Sequence, residues 1–449
     1  MQEKSSMKEK TISRRDVLKG VALLSSMALG NDIYWTAKTQ AATSATSAGN
    51  RPWYELGMMA DPILDNQLLF YLSQSYQGFT DVGEVLDTAS RIDVNDEYSW
   101  PNEWLETARR IEGYAKQSLE RGHKVSAGEA FVRASSYYRA ALIHHPEPTD
   151  KVVKEAAQAV MDNFGKALGL LKFAQPIKIP YESTTLPGYF YRSSLAEDKA
   201  PLLIIFQGRD AWAEETKYLA DAAIKRGYHC LQFQGPGQGA ALRLQGLTFR
   251  PDWENVVTPV IDFALQQEGV DPEQIVLMGM SFGGALAPRA AAFEKRIKIC
   301  VANPGVLNWG ASIYQQLNIL APELMQIYEE NAQTFDIAVT EVMKDSALLR
   351  WGFKDMMWKH AASSPSDLLV KLSDFNNESI VEKITCQTLV MDGEAEAFST
   401  GESKKLFDAL KAPKDYMLFK AEDTGLVHVQ TGALAVSSQR LFDWLDEHI

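Results

Sequence analysis

Residues 275–284 read Ile-Val-Leu-Met-Gly-Met-Ser-Phe-Gly-Gly, and the fold class follows from them. Ile275 to Met278 form a short apolar run of the kind that makes a buried strand. Gly279 and Gly283 flank Ser281 at −2 and +2, and the stretch Gly283–Glu294 is helical in composition. A strand that turns this sharply into a helix has no room for side chains two positions either side of the apex, so glycine is demanded there. The apex serine is raised to the carboxyl edge of a sheet, at a helix N-terminus whose dipole favours developing negative charge. This is the pattern of a nucleophile elbow, with Ser281 as candidate nucleophile.

The flanking sequence has the same texture. Apolar runs Leu202–Phe206, His229–Phe233, Ile297–Val301, Thr388–Met391 and Tyr416–Phe419 alternate with helical stretches such as Glu214–Arg226 and Trp253–Gln267. Such alternation predicts a mostly parallel sheet covered by helices on both faces, over residues 176–449. Between Trp309 and Asn377 a helical insertion, about residues 310–375, interrupts it. Trp351, Phe353, Met356, Met357 and Trp358 there either line a cap over the pocket or simply pack the insertion down. Residues 53–175 read as a separate helical domain: Trp104, Ala108, Ile111, Ala115 and Leu119 recur at spacings of three and four, as do Val153, Ala157, Val160, Phe164, Leu168 and Leu171. No fixed repeat period is visible, which disfavours a helical-repeat scaffold.

Residues 1–42 read as a targeting segment. Basic residues end in Ser13-Arg14-Arg15-Asp16-Val17-Leu18-Lys19, and a modest apolar stretch, Val21 to Leu29, follows. The pattern resembles a bacterial twin-arginine export signal, with valine where phenylalanine is usual, and it implies a periplasmic destination. The apolar run is too short for a stable membrane span, which needs about 20 residues. A Ser/Thr/Ala-rich linker, 43–52, follows. Cys230, Cys300 and Cys386 lie in or beside apolar runs; three cysteines without a CxxC pair argue against a disulfide framework or a zinc site. A formal charge of −13 gives nucleic-acid binding no electrostatic support.

A serine hydroxyl needs an adjacent base to act as a nucleophile. Of seven histidines, His428 follows the last recognisable strand, in the loop before the final amphipathic helix, and is the candidate base. The loop after the sixth strand, Ala302–Trp309, contains no acid. The loop after the seventh, Met391-Asp392-Gly393-Glu394-Ala395-Glu396, offers Glu396 as the acid that orients the imidazole, with Asp392 as the alternative. Oxyanion donors are expected from the backbone N–H of Phe282 and from the turn at Gly208 and Arg209. Asp210 and Trp309 are candidate substrate contacts. The glycine-rich segment Gln234–Gly239 lacks the lysine of a phosphate loop and reads as a turn. No metal motif is present, and no cofactor is expected.

At these residues the sequence resembles α/β-hydrolases that carry an N-terminal helical domain. That family includes the 2,6-dihydroxypseudooxynicotine hydrolase, FrsA-like esterases and the fungal pigment hydrolases that shorten polyketides. The likeness rests on Gly235–Gly239, Arg250–Glu254, Gly279–Ala292, Asn303–Gly305, Thr388–Phe398, Gly425–Gly432 and Leu441–Asp446. It implies an α/β-hydrolase fold, Ser281 and His428 in the family's catalytic positions, and Glu396 where relatives have aspartate. Asn308 stands where relatives often have an acid. The resemblance further implies cofactor-free hydrolysis of an ester or of a carbon–carbon bond beside a ketone, as in a β-diketone. The helical domain and the insertion would then close over a largely apolar pocket holding a small-molecule substrate. An acylaminoacyl-type peptidase shares these parts but carries propeller-like strand repeats not seen here. An acyltransferase differs only in excluding water, and a non-catalytic binding protein could keep the elbow alone. A homodimer is a candidate assembly.

Overall fold

The computed structural model describes residues 51–449 apart from Ala60 and Glu197. The proposed export signal and all of the linker before residue 51 lie outside these residues. Among the described residues five helices come first: α1 (Pro62–Gln74), α2 (Val82–Arg91), α3 (Ser99–Glu120), α4 (Lys124–Ala140) and α5 (Lys151–Leu171). Local chemistry sets several of their starts. Asp61, Asp81 and Asp150 cap α1, α2 and α5 by accepting hydrogen bonds from first-turn amides, which satisfies donors that have no partner within the helix. In α3 the apolar stripe is buried from Trp104 to Ala115, but Leu119 is 40% exposed. The three-and-four spacing marked the right face, and the packing against α4 ends before that last turn.

Among the described residues eight strands form one sheet in the order β1-β2-β4-β3-β5-β6-β7-β8. They are β1 (Gln175–Tyr181), β2 (Thr184–Tyr191), β3 (Ala200–Phe206), β4 (His229–Phe233), β5 (Val270–Met280), β6 (Ile297–Asn303), β7 (Gln387–Gly393) and β8 (Lys414–Phe419). The β1–β2 hairpin pairs antiparallel with β4, and every later neighbour is parallel. The hairpin has no counterpart in the sequence reading; prolines and threonines interrupt both segments, which hides their alternation. The inner strands read as continuous apolar runs because both faces are covered. Leu203, Ile205, Val276, Met278, Ile299 and Val301 enter one core, while Leu202, Ile204, Ile275, Leu277, Cys300 and Ala302 enter the other.

The first core continues into the helices of residues 62–171 and is closed by α6 (Lys217–Ile224) and the C-terminal α16 (Leu434–His448). The second holds α8 (Glu254–Ala264) and α9 (Gly283–Phe293), with the short α7 (Gly239–Arg243) preceding them in the chain. Between β6 and β7 run α10 (Trp309–Leu320), α11 (Pro322–Glu330), α12 (Ala332–Asp345), α13 (Ala347–Lys359) and α14 (Pro365–Ser373). Asn308, Asn331, Ser346 and Ser364 cap four of these helices. Helix α15 (Glu402–Ala409) lies between β7 and β8. Cys230, Cys300 and Cys386 are free thiols. No helix among the described residues is long and apolar enough to cross a membrane.

Candidate active site

Ser281 sits between β5 and α9 with φ 58°, a left-handed conformation that costs a non-glycine residue energy and persists only where surroundings impose it. Its amide donates to Asn303 O at 2.6 Å, and its carbonyl accepts from Gly284 at 2.8 Å. The glycine requirement is steric. A Cβ on Gly279 would lie 2.0 Å from Gly283 O, and one on Gly283 would lie 3.0 Å from Gln207 O. Gly284 is as restricted, with Pro304 O 1.8 Å from where its Cβ would be.

The chain places three predicted residues in a row. His428 Nε2 lies 2.9 Å from Ser281 Oγ, and His428 Nδ1 lies 2.7 Å from Glu396 Oε2. The other carboxylate oxygen of Glu396 accepts from the amides of Phe398 and Ser399 at 2.7 and 3.1 Å. Burial pushes the Glu396 carboxyl upward, but His428 and these amides outweigh it and hold the group below the usual carboxylate range. Asp392 is engaged elsewhere: it accepts from Tyr416 Oη at 2.6 Å and from the Gly393 amide at 2.9 Å. Burial raises its pKa. Of the two acids, Glu396 therefore meets the imidazole. Asn308 caps α10, accepting from Ala311 N at 2.9 Å.

Gly208 presses against the elbow; a Cβ there would sit 2.6 Å from both Ser281 Cβ and Phe282 N. Among the described residues the Phe282 amide has no hydrogen-bond acceptor. The Phe282 ring is fully buried and packs on Trp309, Phe249 and Phe375 at centroid distances of 4.8, 5.0 and 5.0 Å. Trp309 thus lies against the back of the elbow. Arg209 and Asp210 face each other at 3.3 Å. Asp210 also pairs with Lys359 at 2.5 Å; these cations hold its carboxyl well below the usual range despite burial.

Several positioning residues escaped the sequence reading. Gln238, fully buried in the glycine-rich segment, donates to the carbonyls of Gln207 and Gly208 and accepts from Gly235 N. That segment therefore braces the turn after β3. Gln430 exchanges hydrogen bonds with Asn303, tying the His428 loop to the strand end that receives Ser281 N. Neither glutamine has a local sequence signal, because its partner is distant in the chain.

A largely apolar pocket is not what the helical segment and the insertion enclose where they meet the turn after β3. Arg139 pairs with Glu215 at 2.8 Å, and Lys359 pairs with Asp355 at 2.6 Å and with Asp210. Arg350 bonds Glu97, Lys354 bonds Glu147, and Trp351 stacks on His144 at 3.9 Å. The aromatics of α13 pack the insertion onto the rest of the chain and edge a charged cleft at once. The described residues contain no His/Cys/Asp/Glu cluster suited to a metal ion.

The sequence profile described as "Alpha/beta hydrolase family" matches residues 187–436. The chain is 30% identical over 416 residues to the hydrolase acrC of Aspergillus aculeatus, covering 85% of this chain and 95% of that one. It is 30% identical over 389 residues to the 20-hydroxy-prefusarin hydrolase of Gibberella moniliformis, covering 83% and 92%. Among solved structures, the 2,6-dihydroxy-pseudo-oxynicotine hydrolase superposes with a TM-score of 0.62 at 19% identity, over 84% of this chain and 95% of that one.

Proposed function

This chain belongs to the alpha/beta hydrolase family and is a hydrolase, and we propose that it works through Ser281, His428 and Glu396 without a cofactor. The observation that carries the reading is the unbroken line of contacts from Glu396 through His428 to Ser281 Oγ, at 2.7 and 2.9 Å. His428 Nε2 takes the serine proton as Oγ attacks a carbonyl carbon. Glu396, ionised and held by two amides, fixes the imidazole's orientation and stabilises its charged form. The new oxyanion is held by the amide of Phe282 and by the turn at Gly208 and Arg209, each donor contributing about 3 kcal/mol in the transition state. His428 then delivers its proton to the leaving group, and water releases the acyl-enzyme by the same route.

The substrate class we propose is an ester or a β-diketone of polyketide type. The alignment with the 20-hydroxy-prefusarin hydrolase supports it, and in a β-diketone the departing carbon leaves as a resonance-stabilised enolate. The helices of residues 53–175 and the insertion at 310–375 would wall the site. Residues 1–42 are proposed as a twin-arginine export signal on the strength of Ser13–Lys19 and the apolar stretch Val21–Leu29 that follows; the curated relatives named above are fungal and lend it no support. Replacing Arg14 and Arg15 by lysine and fractionating cells tests it: unchanged distribution rejects the signal.

A fluorophosphonate probe tests the chemistry. The wild-type chain is expected to label, and Ser281→Ala and His428→Ala, folded by circular dichroism, are expected not to. Equal labelling of Ser281→Ala would reject the assignment.

A further inference from the structure

Arg243, the last residue of α7, is the cation of the charged cleft that no carboxylate among the described residues holds. Its guanidinium lies over the rings of Trp212 and Trp358, 5.6 and 5.5 Å from their centroids. Its Nε and Nη1 are buried and have no hydrogen-bond partner among the described residues. The carboxylates around it are claimed by other cations: Asp210 and Asp355 by Lys359, and Glu215 by Arg139. Burial correspondingly lowers the pKa of Arg243. A guanidinium presents its donors as a planar fork suited to a carboxylate, and burying such donors unpaired is unfavourable.

Arg139, Asp210, Trp212, Arg243, Asp355 and Lys359 line this cleft. It begins two residues beyond Gly208, which abuts Ser281 and Phe282. Its walls come from α4, from the turn after β3, from α7 and from α13 of the insertion. As the chain stands, the gap has no water-sized space. A ligand group therefore enters only if α13 moves outward, taking Trp358 with it, while Trp212, on the turn after β3, stays over the guanidinium.

We propose that Arg243 anchors a carboxylate carried by the substrate, so that the enzyme takes acidic acyl compounds: esters or β-diketones with a carboxylate distant from the scissile carbonyl. The substrate class rests on reading Ser281 as the nucleophile; the anchor itself does not. Binding of the anion gives the guanidinium the acceptor that Nε or Nη1 lacks and draws the insertion onto the substrate, placing the carbonyl along the turn at Gly208.

The test separates the two. Acetate, glutarate and benzoate, with neutral glutaramide as control, are titrated by calorimetry into the full chain carrying Ser281→Ala. Arg243→Gln and Arg243→Lys are then added to that background. Saturable binding of at least one carboxylate but not of glutaramide is expected, weakened about tenfold or more by Arg243→Gln and less by Arg243→Lys, which keeps a point charge without the fork. Circular dichroism establishes that each variant is folded. Absence of carboxylate binding, or equal binding by the Arg243→Gln chain, overturns the anchor. Fluorophosphonate labelling of wild type is scored independently. Labelling without carboxylate binding removes the anchor alone; Arg243-dependent binding without labelling keeps the anchor and removes the nucleophile.

Discussion

Gln430 and Asn303 exchange two side-chain hydrogen bonds, of 2.8 and 3.1 Å, across 127 residues of sequence. Both are buried, and Asn303 O also receives the amide of Ser281 at 2.6 Å. The loop that carries His428 is thereby pinned to the end of β6, the strand end that receives the amide of Ser281. Val429 and Gln430 both take left-handed conformations to make this possible, at φ 46° and 54°. Gln430→Ala leaves Asn303 without its partner, a loss of about 1–3 kcal/mol. It is expected to lower kcat on a reactive ester about tenfold or more with little change in KM. A matched loss in KM alone would mean that the pair does not position the base.

Glu396 and Asp392 should separate cleanly. Glu396→Gln keeps the shape but loses the charge that orients His428, and a fall in kcat of about 10³–10⁴ is expected. Asp392→Asn, bonded to Tyr416 and Gly393 rather than to the imidazole, should cost only a few-fold. The reverse ranking in steady-state kinetics would move the acid to Asp392. The depressed pKa of Glu396 also makes it a source of stability above the ordinary carboxylate range, lost as pH falls through its folded pKa. Acid unfolding of Glu396→Gln should accordingly begin from a less stable baseline and slope less steeply.

The elbow stores strain that a mutation can release. With φ 58° at Ser281, Ser281→Gly is expected to be inactive yet about 1 kcal/mol more stable than Ser281→Ala, because glycine occupies that region freely. Thermal unfolding of the two inactive variants measures it, and a lower Tm for the glycine variant would contradict the strained backbone.

Glu214 titrates where no catalytic role accounts for it. Burial pushes its carboxyl up to about 7, against hydrogen bonds from Tyr189 and Gln234. The folded chain then binds a proton more readily than the unfolded one between the ordinary carboxylate pKa and about 7. Stability therefore falls as pH rises through that window. A shift of this size corresponds to roughly 3 kcal/mol at most. Glu214→Gln should flatten the fall, with a Tm advantage over wild type that is larger at pH 8 than at pH 5. An equal advantage at both would show that the carboxyl is not neutral in the folded chain.

Features written in consecutive residues were readable in advance. The elbow at 275–284 is one such case: strand, glycines, serine and helix are neighbours, and the clashes that require glycine arise within a few residues or against the adjoining turns. The sheet's inner strands were legible because burial on both faces makes each run predominantly apolar. The β1–β2 hairpin was not, since prolines and threonines break its alternation.

The sequence by itself therefore determined the fold class, Ser281 with its backbone geometry, and His428 as the histidine following the last strand. Tertiary structure alone brings Glu396 rather than Asp392 against His428, since Asp392 lies at the end of β7 and turns to Tyr416 while Glu396 lies just beyond the strand. It also decided that Gln238 and Gln430 brace the site, and that the cleft beside it is charged. The physical reason is range. Backbone sterics and strand or helix periodicity act between near neighbours, whereas hydrogen bonds and ion pairs such as Asn303–Gln430 or Asp210–Lys359 join residues that meet only when the whole chain has packed.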